Sequence, residues 1–128
     1  MKRIIVGITG ASGPVLGYYL LKAMHEEKDV ETFLVMSKGA EELLKDESGI
    51  TKSEIESLAT HVYGEYEMNA HIASGSFYTD GMVILPCSMK TLSALANAYD
   101  DNLIVRAADV CLKEGRKGIN IVCIQLVN

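Results

Sequence analysis

The sequence predicts an α/β fold built on a mainly parallel sheet, and three observations carry that prediction. Short β-branched runs alternate with stretches of helical spacing along the 128 residues. Two of the runs, ending at Ile8 and Leu85, are each followed by a Gly- or Ser-bearing turn and then by a helix-forming stretch. A hydrophobic content of 48% is enough to cover a sheet on both faces. Length alone points to one domain over 1–128.

The elements follow in order. Residues 3–8 form a β-branched strand, and residues 15–27 carry Leu16, Tyr19, Leu20, Ala23 and Met24 near helical spacing. Residues 30–36 form a second strand. Ser37 then caps a helix over 38–46, and Thr51-Lys52-Ser53-Glu54 has the form of a capping box opening a short helix to 59. Residues 81–85 make a short buried strand ending at Pro86, 88–99 and 103–114 read as helices, and 119–127 as a final strand. The stretch 63–77 has little periodicity and is expected to be a mobile or interface-forming loop. Helices between parallel strands imply right-handed crossovers, with ligands at the carboxyl ends of the strands.

A net charge of −5 argues against a nucleic-acid scaffold, which would carry a basic excess. No apolar run approaches the roughly 20 residues that span a bilayer. Met1-Lys2-Arg3 leads directly into a strand, so a cytoplasmic location is expected. Cys87, Cys111 and Cys123 show no C-x-x-C or Cys/His ligand spacing and are expected to be reduced thiols. His25, His61 and His71 are scattered, and no metal site is expected.

The chemistry sits in the turns. Gly7-Ile8-Thr9-Gly10-Ala11-Ser12-Gly13 and Pro86-Cys87-Ser88-Met89-Lys90-Thr91 each join a strand to a helix, where unpaired N–H groups favour an anion. The spacing Gly7-x-x-Gly10-x-x-Gly13 is not the dinucleotide G-x-G-x-x-G, and Ser37-Lys38 stands where a ribose-binding acid would be needed. NAD is therefore disfavoured, and an NADP-binding reductase-like module stays open. Tyr18 and Lys22 have the tyrosine–lysine spacing of such reductases but fall on amphipathic surface of the first helix. A mononucleotide fits better, with hydroxyls from Ser12, Ser37, Ser88 and Thr91; each also reads as an ordinary helix cap.

Five segments in order bear a family resemblance: residues 6–13, Val35-Met36-Ser37-Lys38, Ser74-Gly75-Ser76-Phe77, residues 82–92, and residues 106–114. They resemble successive motifs of the UbiX/Pad-type flavin prenyltransferases, formerly described as aromatic or hydroxyarylic acid decarboxylase subunits. The likeness covers 1–117, with a divergent tail at 118–128. It implies a Rossmann-like three-layer flavoprotein, usually a dodecamer, that transfers a dimethylallyl group from dimethylallyl monophosphate to N5 and C6 of reduced FMN. The prenylated FMN would serve a UbiD-type decarboxylase. No metal is required.

By the same resemblance Gly10, Ala11, Ser12, Ser37, Ser88, Met89, Lys90 and Thr91 match FMN contacts, Glu47 and Ser12 are the catalytic candidates, and Arg106 and Lys113 match cations facing the prenyl phosphate. Without it, Glu47 reads as a solvated carboxylate beside Asp46, and Lys113 as a cation in a last helical turn. Cys123 and Ile124 fall where the family has an Arg-Glu pair, and the family's later strand, Tyr-bearing segment and C-terminal helix have no counterpart. The resemblance therefore implies a C-terminally truncated member whose prenyl transfer is impaired. A non-catalytic flavin-binding or assembly protein is the other reading.

Overall fold

In the structure, a computed structural model, residues 1–114 and 120–125 are described. Strand β1 (Lys2–Ile8) lies at the centre of a five-stranded sheet, paired in parallel with β2 (Val30–Met36) on one side and β4 (Gly81–Ile84) on the other. β3 (His61–Tyr63) extends the sheet beyond β2, and β5 (Asn120–Cys123) beyond β4. The order β3-β2-β1-β4-β5 reverses direction at β1, which opens a crevice at the carboxyl ends of β1 and β4. The parallel α/β architecture expected from the alternation is the one observed.

Three layers follow from the period-2 alternation of side chains along buried strands. Val6, Ile8, Leu34 and Met36 turn to one face and pack against Leu21, Ala40, Leu44 and Ile55 of helices α1 (Val15–His25), α2 (Lys38–Ser48) and α3 (Lys52–Glu56). Ile5, Phe33, Val35, Met82 and Ile84 turn to the other, against Leu103, Ile104, Ala107 and Ala108 of α5 (Leu103–Glu114). Leu95 of α4 (Met89–Ala96) joins that second face.

Most element ends differ by a few residues from the sequence expectation, and four differences change the argument. Helix α2 runs on through Ser48 and stops at Gly49, whose φ of 71° sets the left-handed cap, so Glu47 is on its last turn rather than after it. β3 is a strand that the sequence reading passed over; three residues are too few to show a period. The segment 63–77, expected to be a mobile or interface-forming loop, contains a short 3-10 helix (His71–Ala73), with Ala70, Ile72 and Ala73 buried under α5 and Phe77 edge-on to Phe33. Cys87 and Cys123, expected to be reduced, are bonded to each other across Cα atoms 5.6 Å apart, while the buried Cys111 lies 3.7 Å from the Thr79 hydroxyl and takes no part in that bond. Spacing along the chain could not show this, because the pairing joins the β4–α4 turn to the end of β5. The final strand expected over 119–127 is described only at Asn120–Cys123; residues 119, 126 and 127 lie outside the described residues.

Gly17 is the tightest point between α1 and the sheet. A Cβ there would lie 2.6 Å from Ile8 Cδ1 and 2.8 Å from the Leu85 carbonyl oxygen. The side chain can swing away, but the backbone carbonyl cannot. Gly17→Ala is therefore expected to lower stability by about 2 kcal/mol despite alanine's better helix propensity. Urea denaturation checks this; an unchanged or raised midpoint would mean that α1 shifts without cost.

Among the described residues no helix is long and apolar enough to cross a membrane.

Candidate functional site

The carboxyl ends of β1, β2 and β4 meet around an open cavity of about 280 Å³, lined by Thr9, Gly10, Ser37, Gly39, Ser88 and Thr91 among others. Buried Thr9 ties two of its walls together. Its Oγ1 donates to the Pro86 carbonyl at 2.7 Å and accepts from the Ser88 N–H at 2.8 Å, while its own N–H donates to the same carbonyl at 3.2 Å. The β1–α1 and β4–α4 turns therefore form one unit.

Two helices open onto the cavity. Ser37 caps α2, its Oγ accepting from Ala40 N–H at 3.1 Å, and Ser88 caps α4, its Oγ accepting from Thr91 N–H at 3.1 Å and donating to Thr91 Oγ1 at 2.9 Å. Gly10 and Gly39 let the β1–α1 turn and the first turn of α2 meet backbone to backbone; a Cβ on Gly10 would touch Gly39 Cα at 3.6 Å. At the wall Glu65 accepts from Lys38 N–H at 3.2 Å through Oε1 and from Leu103 N–H at 2.7 Å through its carbonyl. One residue thus holds the starts of both α2 and α5, and its carboxylate already meets the partial positive charge at the head of α2.

Ser12 and Glu47 are brought together. Ser12 Oγ donates to Glu47 Oε2 at 3.0 Å, and Gly13 N–H donates to Oε1 at 3.1 Å, with Gly13 at φ 96° in the turn. The last turn of α2 thereby clamps the β1–α1 loop. Lys90 lines the cavity, whereas Met89 is 69% exposed, its sulfur accepting from Gln125 Nε2 at 3.2 Å.

The two expected phosphate-facing cations lie on α5 but not on the cavity wall. Arg106 Nε donates to the Ala73 carbonyl at 3.3 Å, and its Nη1 is 3.5 Å from Asp100 Oδ2. Lys113 pairs with Asp109 at 2.9 Å. It stands nine residues beyond Ile104, which does line the cavity, hence about 14 Å farther along the helix. Thr9, Gly39 and Glu65 are among the cavity residues that escaped the sequence reading. Thr9 stands inside a quoted motif with no role of its own; nothing local marks Glu65, whose partners are 27 and 38 positions away.

The fold and the sequence both have counterparts among known proteins. The Flavoprotein family model matches residues 1–125. A probable UbiX-like flavin prenyltransferase of Sedimentibacter hydroxybenzoicus is 51% identical over 115 residues, covering 90% of this chain and 61% of that protein. The crystal structure of AnUbiX (PadA1) in complex with FMN and dimethylallyl pyrophosphate superposes with a TM-score of 0.86 at 48% identity, covering 90% of this chain and 61% of that one. A dodecameric FMN-dependent UbiX-like decarboxylase from Escherichia coli O157:H7 superposes with a TM-score of 0.91 at 45% identity, covering 99% and 68%. The chain spans about 61% of the length of the curated relative it matches. A family model matched from end to end of the described fold, and relatives sharing half of its residues, show that the chain belongs to the Flavoprotein family, in its UbiX-like group.

Proposed function

We propose that the chain binds FMN in the cavity at the β1/β4 crevice and serves transfer of a dimethylallyl group from dimethylallyl monophosphate to reduced FMN. The observation that carries this reading is the joined pair of turns, with Thr9 fastening them and two capped helices opening on one space. The residues fit such a ligand: two facing glycines allow close approach of a flat or phosphate-bearing group, and the walls supply hydroxyls and helix-start N–H groups. Gly10, Ala11 and Ser12 with Ser88, Met89, Lys90 and Thr91 would hold the phosphate end. Ser37 would meet a neutral part, because Glu65 already supplies the negative charge at the start of α2.

Bound there, reduced FMN would supply the nucleophilic atoms and a flat π surface beside the allylic group. Glu47 Oε2 is the base assigned to the proton lost from the flavin ring, and Ser12 Oγ holds that oxygen in place. Arg106 and Lys113 are assigned to the departing phosphate, whose growing charge fixed cations stabilise. Arg106 and Lys113 stand off the cavity wall of this chain, and a homo-oligomer such as a dodecamer is part of the proposal, as is delivery of the product to a UbiD-type decarboxylase. Cys123 and Ile124 stand where the resemblance has an Arg-Glu pair, so slow transfer with retained flavin binding is the expected combination.

Titration of the purified chain with FMN and with NADPH tests the ligand. FMN is expected to bind at least about tenfold more tightly, equivalent to about 1.4 kcal/mol. Preference for NADPH would overturn the flavin reading in favour of a reductase-like module. Incubation with reduced FMN and dimethylallyl monophosphate, with mass detection of prenylated flavin, separates an enzyme from a protein that only binds flavin.

A further inference from the structure

The turn before α5 and one face of that helix hold two carboxyl groups that the proposed chemistry does not use. Asp109 is 7% exposed, and Asp100 is partly buried at the end of the preceding turn. Asp100 Oδ1 is a buried atom without a hydrogen-bond donor among the described residues, and Asp109 Oδ2, also buried, has Lys113 Nζ at 2.9 Å; the two carboxyl groups lie within hydrogen-bond reach of each other. Two carboxylates in contact repel, whereas a single proton held between them supplies the missing donor. A cation stands at each end of the pair: Arg106 Nη1 at 3.5 Å from Asp100 Oδ2, and Lys113 Nζ at 2.9 Å from Asp109 Oδ2. Arg106 and Lys113 are seven residues apart, about two turns along one face of α5. Their side chains are 42% and 68% exposed, so both can also reach an outside group.

We propose that Asp100 and Asp109 share one proton and act as positioning residues for Arg106 and Lys113, aiming both cations outward with one positive charge left uncompensated for an oxyanion. The charge count is direct. Two cations against a pair holding one proton leave a net +1, and against a fully ionised pair leave zero. That the oxyanion is a phosphate of the prenyl donor rests on the proposed function; the sharing of the proton does not.

Burial, and then contact with Asp109, raise Asp100 above the ordinary carboxyl range, while the hydrogen bond from Lys113 holds Asp109 below it. The sign follows. As pH rises through the Asp100 ionisation the net +1 is lost and anion affinity falls; Asp109 stays ionised until the pH drops below the ordinary range. Other titratable or charged groups on the elements packed against α5 are His71 of the 3-10 helix, stacked on Phe77, Lys90 at the start of α4, and Glu31 of β2, which is engaged with Arg3 and His61. Asp101 follows Asp100 and lines the cavity; β4 brings no charged side chain, and Cys123 of β5 is bonded to Cys87. Among the described residues, Arg106 and Lys113 are the charged groups that act on the pair besides its own members.

The test is a carboxyl-carbon NMR titration of the folded chain, with sulfate affinity followed on the α5 amides from about pH 4 to about pH 8, a range in which sulfate keeps its charge. FMN affinity is measured on the same samples. The two carboxyls are expected to titrate as a coupled pair, and sulfate affinity to fall roughly fivefold or more across the range. Asp100→Asn keeps a donor toward Asp109 without its charge, so its affinity should stay at the low-pH value within about twofold. Arg106→Ala should abolish the binding. Independent ordinary titrations, a flat wild-type profile, or an Asp100→Asn profile that still falls would each overturn the proposal. Coupled carboxyls with no sulfate bound would overturn its anion half and the phosphate role with it. Loss of the flavin reading alone would appear as absent FMN binding beside an intact carboxyl titration.

Discussion

Glu47→Gln is expected to lower the rate of the proposed prenyl transfer about 10²-fold or more while FMN affinity stays within about threefold. The amide is nearly isosteric. Its oxygen can still accept from Gly13 N–H, and its NH2 group can donate to Ser12 Oγ, reversing the direction of one bond without moving the loop. What disappears is basicity, and with it the group assigned to the proton. Single-turnover formation of prenylated flavin, relative to the unsubstituted chain, reads the first quantity, and flavin titration reads the second. An equal loss in both would mean that Glu47 serves the clamp on the loop. An unchanged rate would remove it from the chemistry altogether.

The largest effect on stability is expected from Thr9→Val, at about 2–3 kcal/mol. Valine fills the same volume but offers neither a donor to Pro86 nor an acceptor to Ser88. The Pro86 carbonyl keeps the Thr9 backbone N–H, so the cost falls on Ser88, whose N–H is left in a partly buried place with no partner. FMN affinity should fall in parallel, because Ser88 starts the helix that faces the cavity. Thr9→Ser restores the hydroxyl and should recover most of the loss. Urea denaturation of the pair decides it: equal midpoints for valine and serine would show that the methyl, not the hydroxyl, matters.

What the sequence made legible follows how far each signal reaches along the chain. The alternation of β-branched runs with helical periods is local, and the parallel sheet it implies is the one observed. The caps Ser37 and Ser88 and the Thr51–Glu54 capping box are also local, and all three are present. The β3 strand was missed because its three residues gain their partners only by lying beside Phe33, Leu34 and Val35. Thr9, Gly39 and Glu65 were missed for a related reason: each matters for what it meets across the fold. Ser12 entered as a hydroxyl of the turn and Glu47 by family resemblance, yet their contact depends on α2 running two residues past its expected end. The bond between Cys87 and Cys123 spans 36 positions and has no spacing signature.

The fastening of the cavity by Thr9 bears on how this chain acquires its site. The contacts that close the crevice join positions 77 and 79 residues apart, between the central strand and the turn after β4. Before they form, the chain must confine a loop of that length, an entropic cost with little local return until β4 docks beside β1. Helices α1 to α3 and the β1–β2 pair can assemble from nearer neighbours, but a nascent chain ending before residue 80 has no crevice to offer. Ligand that binds only the closed crevice then favours the last step of folding over its reversal. On the proposed flavin reading, a flavin present during refolding should slow unfolding more than it speeds collapse, because the groups assigned to hold it come together late.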